Sequence, residues 1–517
     1  MHATKPALVI DSSTRCNYLL NMHTKKAIII GSGVGGMATA IRLAVQGFAV
    51  TVYEKNDQPG GKLSAFKKDG YCFDAGPSLF TQPKNMEELF ALAQEPIGAY
   101  FSYQPVPIAC KYFYENGKVV HAYTNPTRFA QELKEHLNEA PEKVVAYLKQ
   151  SEKLYDNIGA VFLNNSLHKA KTWFNKNMLS ALKTLRFGYL FNSLNQHNSK
   201  YFSSPEAVQL FNRFATYNGS NPYKAPAMLS LIPHLEQNQG TFYPEGGMIS
   251  ITNALYKLAI KKGIRFYFGM PVQQIIHHEK KVTGVVVNNE KVMGDLVISN
   301  ADVYFTYKNL LDNMHQAKKV LKQERSSSAV IFYWGINKSF SKLQLHNIFF
   351  SKDYKSEFDN IFVGQQLTND PTVYINITSK MEASQSPEGK ENWFVMVNAP
   401  ANTGQDWEQL KNSVRGNIIS KLSRILGEDV EALIETEHTL DPVMIEAQTA
   451  SYMGSLYGTS SNSKLAAFFR HANFTNTIKG LYFCGGSVHP GGGIPLCLKS
   501  AKIVSELIAS NHQKSTS

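Results

Sequence analysis

Six consecutive residues, Gly31-Ser32-Gly33-Val34-Gly35-Gly36, place glycines in G-x-G-x-x-G register at Gly31, Gly33 and Gly36. Glycines so spaced suit a pyrophosphate. Gly31 permits a tight turn, Gly33 lets the backbone approach the phosphates, and Gly36 lets a following helix close on the preceding strand. Glu54 stands 18 residues beyond Gly36, where a carboxylate accepts from both hydroxyls of a ribose and repels a 2′-phosphate, arguing against NADP. Pro59-Gly60-Gly61-Lys62 brings further backbone amides and a cation to the same region. Alone, Lys62 is a solvated loop lysine; beside Gly60 and Gly61 it is read as a ligand. A third set, Gly485-Gly486-Ser487-Val488-His489-Pro490-Gly491-Gly492-Gly493-Ile494-Pro495, holds five glycines in nine residues. Its histidine can titrate near neutrality and is the candidate for proton transfer.

These turns need elements to hold them. Ala27-Ile28-Ile29-Ile30 is short, β-branched and wholly apolar, as a strand buried on both faces should be. A helix is expected over 37–46, closed by Gly47, then a strand over 48–53 that delivers Glu54. Near the other end, a strand over 479–484 leads into the third glycine set. A helix over 496–508 follows, with Pro495 where a missing N–H costs nothing. The dinucleotide could be NAD or FAD. NAD dehydrogenases do not need the second contact at Gly60-Gly61-Lys62, and two phosphate-type turns about 450 residues apart point to a discontinuous FAD domain.

The chain has 517 residues, 43% hydrophobic and 18% charged, with a net charge of +12 and a mean hydropathy of −0.25. This is globular composition, and the length exceeds what one core supports. No uncharged apolar run approaches the roughly 18 residues of a membrane span, and the stretch 329–336 is strand-sized. The five cysteines (Cys16, Cys72, Cys110, Cys484 and Cys497) are widely spaced and show no metal-binding pattern, so no metal is expected and reduced thiols in the cytoplasm are. Residues 1–21 lack the apolar centre of a secretory signal and read as a disordered leader, with Met22 an alternative start. The positive charge is spread rather than clustered, and no nucleic-acid module is visible, so nucleic acid is not an expected partner.

With these pieces assembled, the chain resembles the phytoene-desaturase-type carotenoid desaturases, relatives of the amine oxidase and protoporphyrinogen oxidase flavoenzymes. The stretches that carry the resemblance are 27–54, 59–78, 217–226 (Tyr-Asn-Gly-Ser-Asn-Pro-Tyr-Lys-Ala-Pro), 241–247 (Thr-Phe-Tyr-Pro-Glu-Gly-Gly), 271–275, 299–302 and 481–500. The run from Ser487 to Pro495 is most similar to the hydroxycarotenoid 3,4-desaturases, the methoxyneurosporene dehydrogenase branch. Phytoene desaturases more often carry a shorter Pro-Gly variant without the histidine. The resemblance implies an α/β fold: a discontinuous Rossmann-like FAD-binding domain of the amine oxidase/GDI-like superfamily with an inserted α+β substrate domain. The FAD part would take 22–110, 241–305 and 465–512, and the substrate part 111–240 and 306–464, with strands near 327–336 and 393–398 as its floor.

The resemblance also implies roles. Gly31, Gly33 and Gly36 would hold the FAD pyrophosphate, Glu54 the adenosine ribose with Lys55 beside it, and Val272 the adenine through its backbone. Gly61 and Lys62 would lie by the phosphates, and Gly76, Pro77 and Ser78 by the isoalloxazine. Gly485, Gly486 and Ser487 would meet the ribityl–pyrophosphate chain, with Ile494 and Pro495 at the ring. Many relatives in the wider group have an acid where Ser487 stands. The implied reaction is FAD-dependent desaturation of a linear carotenoid, with oxygen or a quinone as final acceptor. Phytoene desaturation, carotenoid isomerisation and non-catalytic carriage of a prenyl lipid are the rival readings.

A bilayer-dissolved substrate calls for a membrane-touching face. Residues 157–205 contain no acid but include Lys169, Lys171, Lys176, Lys183, Arg186 and Lys200 together with Trp173, Phe174, Phe187, Tyr189 and Phe191. On a helix Met178, Leu182, Leu185 and Tyr189 share a stripe flanked by Lys183 and Arg186, as in an interfacial helix drawn to anionic lipid. Peripheral association with the inner membrane is the expectation. His234 is a second, weaker candidate for the substrate region.

Overall fold

The apolar run that opens the first glycine turn is the centre of a five-stranded parallel sheet. The computed structural model describes residues 25–174, 187–463 and 470–516. Strand β1 (Lys26–Ile30) leads through the turn into helix α1 (Val34–Val45) and returns as β2 (Ala49–Tyr53). The sheet is completed by β3 (Arg265–Tyr267), β4 (Leu296–Ser299) and β5 (Leu481–Phe483), in the order β3-β2-β1-β4-β5. Ile29 pairs with Val52 on one side and Ile298 on the other, so β1 is enclosed on both edges. Helix α2 (Ile494–Thr516) packs along α1. Met37, Ile41, Leu498, Ala501 and Val504 share one core with Ile29 and Ile298.

Two boundaries differ from expectation. Helix α1 begins at Val34 rather than residue 37, taking Gly35 and Gly36 into its first turn. Glycine is a poor helix former, but close approach decides here: a Cβ on Gly36 would lie 2.2 Å from the Gly31 carbonyl oxygen. Helix α2 likewise starts at Ile494, with Pro495 in its first turn. Residues 65–74 form the hairpin Ala65–Lys68 and Tyr71–Asp74, joined by Asp69 and Gly70 at φ +50° and +85°, backbone that suits a tight two-residue turn.

A second sheet of seven strands runs Ile434–Leu440, Ser328–Ile336, Glu391–Ala399, Val373–Asn376, His346–Phe349, Ile108–Phe113, Val119–Tyr123. The strands expected near 327–336 and 393–398 are its second and third members. Its alternation assigns the two faces. Val330, Phe332 and Trp334 pack in the core that includes Val414, Ile418 and Leu422 of the helix Trp407–Leu426, while Ile331 and Tyr333 face the opposite way, onto a cavity. The strand Ile108–Phe113 crosses the boundary expected at 110/111 and belongs with this sheet. Over its far edge, the helices Pro126–Leu137, Pro141–Leu154 and Pro205–Asn212 enclose an aromatic core around Tyr147, Phe202 and Phe211.

No helix among the described residues is long and apolar enough to cross a membrane. Of the expected stripe, Met178, Leu182 and Leu185, with Lys176, Lys183 and Arg186, lie outside the described residues, whereas Tyr189 is buried in a core with Leu154, Ile158 and Phe162 rather than turned outward. On either side of the stripe Phe174 is 84% exposed and Phe191 53%. The expected leader, 1–21, is also outside them.

Candidate active site

The two glycine turns, distant in sequence, touch. The Gly31 amide donates to Tyr53 O at 2.8 Å and the Cys484 amide to Ser299 O at 3.0 Å, so the parallel strands deliver both turns to one end of the sheet. Between them stands Asn300, at the end of β4. Its Nδ2 donates to Cys484 O at 3.2 Å. A Cβ on Gly33 would come within 2.7 Å of Asn300 Oδ1, and one on Gly485 within 2.4 Å of its Nδ2. The glycines are thus required by this side chain as well as by any ligand. Gly60 joins the first turn through its amide, which donates to Ser32 O at 3.0 Å.

Glu54 is 5% exposed and fixes the turn from beneath. Its Oε2 accepts from the Ser32 amide at 2.7 Å and the Ser32 hydroxyl at 2.9 Å, and its Oε1 from the Asn56 amide at 2.9 Å. A carboxylate has about four acceptor positions, so Glu54 shapes the loop and retains capacity for a ligand hydroxyl. Met270 donates its amide to Glu54 O at 2.8 Å, which brings Val272 to the same end. Lys55 lies beside them, its ammonium on Ala447 O at 2.7 Å.

Charge near the turns is mostly positive. Lys62 Nζ donates to Leu456 O at 2.8 Å, and its dense surroundings push the ammonium down to about 8. Buried Arg325 pairs with Asp302 at 2.9 Å, and buried Arg470 donates to Tyr457 O at 2.7 Å. One Arg325 nitrogen and one Arg470 nitrogen are buried without a partner among the described residues. Burial, with Arg325 nearby, lowers Arg470 to about 10. Of these charges Lys62 and Asp302 line a cavity, while Arg325 and Arg470 are not among its lining residues; the Lys62 ammonium suits a diphosphate. Ser487 contributes a hydroxyl that accepts from the Val303 amide at 3.1 Å.

The cavity, of about 1080 Å³, runs past the turns, Lys62 and Ser487. Gly31, Gly33, Glu54, Lys55, Gly61, Lys62, Gly76, Pro77, Ser78, Val272, Gly485, Gly486, Ser487, Ile494 and Pro495 all line it. Gly36 does not; it packs beneath Gly31. Gly493, at φ +105°, has no atom within 4 Å of a would-be Cβ, so the wall is open there. A glycine-walled channel with the Lys62 ammonium along it and the acid Glu54 in its lining fits FAD.

His489 is placed elsewhere. It is not among the cavity-lining residues, is 2% exposed, and its Nε2 donates to Asn165 O at 2.9 Å. Burial is the main cause that lowers it to about 4, so it is neutral at physiological pH. The expectation of direct proton transfer is therefore corrected: the neighbouring glycines face the cavity, but the ring turns back toward residue 165. His234 is likewise outside the lining, its ring nitrogens at 3.0 Å from the amides of Asn238 and Gln239. Asn300, Tyr457 and the buried Arg213–Glu236 pair were not singled out from sequence. For Asn300 a signal existed, a lone amide directly after the apolar strand 296–299.

The chain matches the family described as flavin containing amine oxidoreductase over residues 34–509. It is 50% identical over 484 residues to the 1-hydroxycarotenoid 3,4-desaturase of Flavobacterium sp. (strain P99-3), covering 94% of this chain and 99% of that protein. It is 31% identical over 522 residues to the phytoene desaturase of Fusarium fujikuroi, covering 94% and 89%. Among solved structures, an oxidoreductase from Methanosarcina mazei shares the fold with a TM-score of 0.62 at 15% identity, covering 93% of this chain and all of that one. The meeting of both glycine turns at one sheet end and this agreement along nearly the whole length lead to one conclusion: the chain is an FAD-dependent oxidoreductase belonging to the flavin-containing amine oxidoreductase family, in the branch that holds the carotenoid desaturases.

Proposed function

We propose that this enzyme desaturates a linear carotenoid, removing two hydrogens across the 3,4 bond of a 1-hydroxylated substrate. The observation that supports this most is one uninterrupted cavity from the glycine turns to the apolar floor of the seven-stranded sheet, in a chain half identical to a desaturase of that name. Bound FAD supplies the acceptor for a hydride. Glu54, Lys55 and Val272 hold its adenosine end. Gly31, Gly33, Gly61, Lys62, Gly485, Gly486 and Ser487 hold the diphosphate and ribityl chain, with Gly36 fixing the turn from behind. Gly76, Pro77, Ser78, Ile494 and Pro495 surround the ring. Ile331, Ile348, Phe394, Met396 and Leu440 hold the polyene and exclude water. Positive charge left on an allylic carbon would spread along the conjugated chain, and the neighbouring carbon would then release its proton to solvent as the double bond forms, so no strong base is required of the protein. Oxygen or a quinone takes the electrons in the end.

In this reading the flavin part uses 22–110, 241–305 and 465–512 except the strand from Ile108, and the substrate part uses 111–240 and 306–464. The substrate enters from lipid. Exposed Phe174 and Phe191, within the basic acid-free segment 157–205, suit the headgroup layer. The protein then sits peripherally on the cytoplasmic face of the inner membrane.

The test is incubation of purified holoenzyme with phytoene, lycopene and a 1-hydroxylated carotenoid in liposomes, read by absorbance. A red shift with the hydroxylated substrate is expected. A protein without flavin absorbance, or no shift with any of the three, overturns the proposal. A shift with phytoene alone moves the reading to phytoene desaturation.

A further inference from the structure

Beyond Gly76–Ser78 the cavity opens onto a largely apolar floor, with Asn398 and His438 on two of its strands and a connected set of polar side chains starting at Ser78. Ser78 Oγ and the Tyr374 hydroxyl are 2.8 Å apart, and the Tyr374 hydroxyl is 2.8 Å from His346 Nδ1. Asn376 Nδ2 donates to Leu345 O at 3.1 Å and approaches His346 Nδ1 at the same distance. Nδ1 therefore accepts, and the imidazole hydrogen resides on Nε2. His346 is 2% exposed, and burial first, then the Arg213 charge, push it down to about 3, so the ring stays neutral. Its Nε2 has no partner among the described residues. Neither does the hydroxyl of Tyr354, which is 5% exposed. Both side chains line the cavity.

Arg213 and Glu236 bound the same region. Arg213 Nη2 lies 2.8 Å from each oxygen of Glu236, and the Tyr217 hydroxyl donates to the same carboxylate. The Arg213 charge bears on His346, Tyr374 and Tyr354 alike, so all three lie within its electrostatic reach. With its two charges consumed by each other, the pair offers no free anion for an amine and no free cation for a carboxylate. Arg213 Nε is also buried without a partner among the described residues, but its charge is already paired; the other two unmet groups, on His346 and Tyr354, are neutral donors, and a buried donor without an acceptor is unfavourable. The ligand chemistry that satisfies them without leaving a buried charge is a neutral oxygen.

We propose that His346 and Tyr354 receive the hydroxyl of the substrate's end group, and that this contact selects the carbon–carbon bond presented for desaturation. The proposal rests on the carotenoid reading above and adds the groups that choose the bond. Its position is the argument. Two hydrogen bonds connect His346 to Ser78, beside the proposed ring position, so the donors lie close to the reacting carbons. In a 1-hydroxylated polyene the carbinol carbon is only two bonds from the nearer carbon of the 3,4 bond. A desaturase acting in mid-chain would bring only hydrocarbon to this wall and leave both donors unmet.

The test compares Tyr354→Phe and His346→Gln holoenzymes with the parent, each with matched flavin content. Tyr354→Phe keeps the ring contacts to Phe350 and Phe358. Two quantities are read for a 1-hydroxylated carotenoid and its non-hydroxylated counterpart: kcat/KM in liposomes, and Kd from quenching of tryptophan fluorescence. The preference for the hydroxylated ligand should fall about 3- to 10-fold in each variant, in both quantities, as expected for one neutral hydrogen bond. A preference within twofold of the parent in both variants, or equal losses on both ligands, overturns the proposal and leaves water as the donors' partner. Absence of turnover by the parent on every carotenoid counts against the reaction instead, and the Kd comparison still decides the subsite. If one variant loses its flavin, the other carries the test.

Discussion

Glu54 shows how much one side chain can be asked to hold. It accepts from Ser32 twice and from Asn56 once, with both oxygens in use. In Glu54→Gln one oxygen becomes an NH2 group that faces a backbone N–H, so at least one bond becomes a repulsion. The expected cost is about 1–3 kcal/mol, seen as a lower Tm and roughly 10- to 100-fold weaker FAD retention on dialysis. Wild-type flavin content and Tm in this variant would refute the clamp. At this scale the sequence was informative where neighbours in the chain define the role, as at Gly31, Gly33 and Glu54. At Asn300 it offered only a lone amide after an apolar strand, because the contacts of that side chain exist only once residues 33 and 485 have met. It misled at His489, whose ring direction is set by a carbonyl 324 residues away.

The strand–turn–helix that begins at β1 was readable because its cause is local: an apolar run, glycines at a spacing, and a helix behind them. The three-residue error at the start of α1 came from weighing helix propensity above close packing. Gly36→Ala tests that packing. Its Cβ would lie 2.2 Å from Gly31 O, so the turn must move, and a loss of about 1–3 kcal/mol together with the flavin is expected. The contrasting variant is Gly416→Ala, in the exposed interior of the helix Trp407–Leu426, where an added Cβ meets nothing within 4 Å. It should stabilise by about 0.5–1 kcal/mol. Equal effects of the two substitutions on Tm would show that packing at the turn is unimportant. The strands of the second sheet were legible as apolar runs, but two-sided burial hid which face looked onto the cavity. Only the register with the neighbouring strands assigns Ile331 and Tyr333 to it.

Across the whole molecule, buried histidines set the response to acid. Burial is the main cause that lowers His346 to about 3 and His471 and His489 to about 4, against 6.5 for an ordinary imidazole. The unfolded chain takes up these protons from about pH 6.5 downward while the folded one does not, so folded stability falls between about pH 6.5 and 4. Each group contributes up to about 1.4 kcal/mol per pH unit in that window. Asp74 opposes them: burial raises it to about 6, so its folded carboxyl is protonated first and stability gains as pH falls from about 6 to 4. Three groups outweigh one, and Tm should drop on acidification, less steeply in His489→Gln. A Tm that is flat or rising from pH 6.5 to 4 would contradict this. At this scale the discontinuous flavin fold was legible because two glycine turns so far apart have one economical explanation. The boundary expected at 110/111 cuts the strand 108–113 because its partner, His346–Phe349, comes from far along the chain.

That same remoteness bears on biosynthesis. About 450 residues separate the end of β1 from β5 and α2, tens of seconds of elongation at ordinary ribosomal rates. Throughout that time the flank of α1 that α2 will cover is bare, and once β4 has been made its outer edge stays open, able to pair with another nascent chain, until β5 follows. Capture of the flavin is thus a late event in the life of the polypeptide.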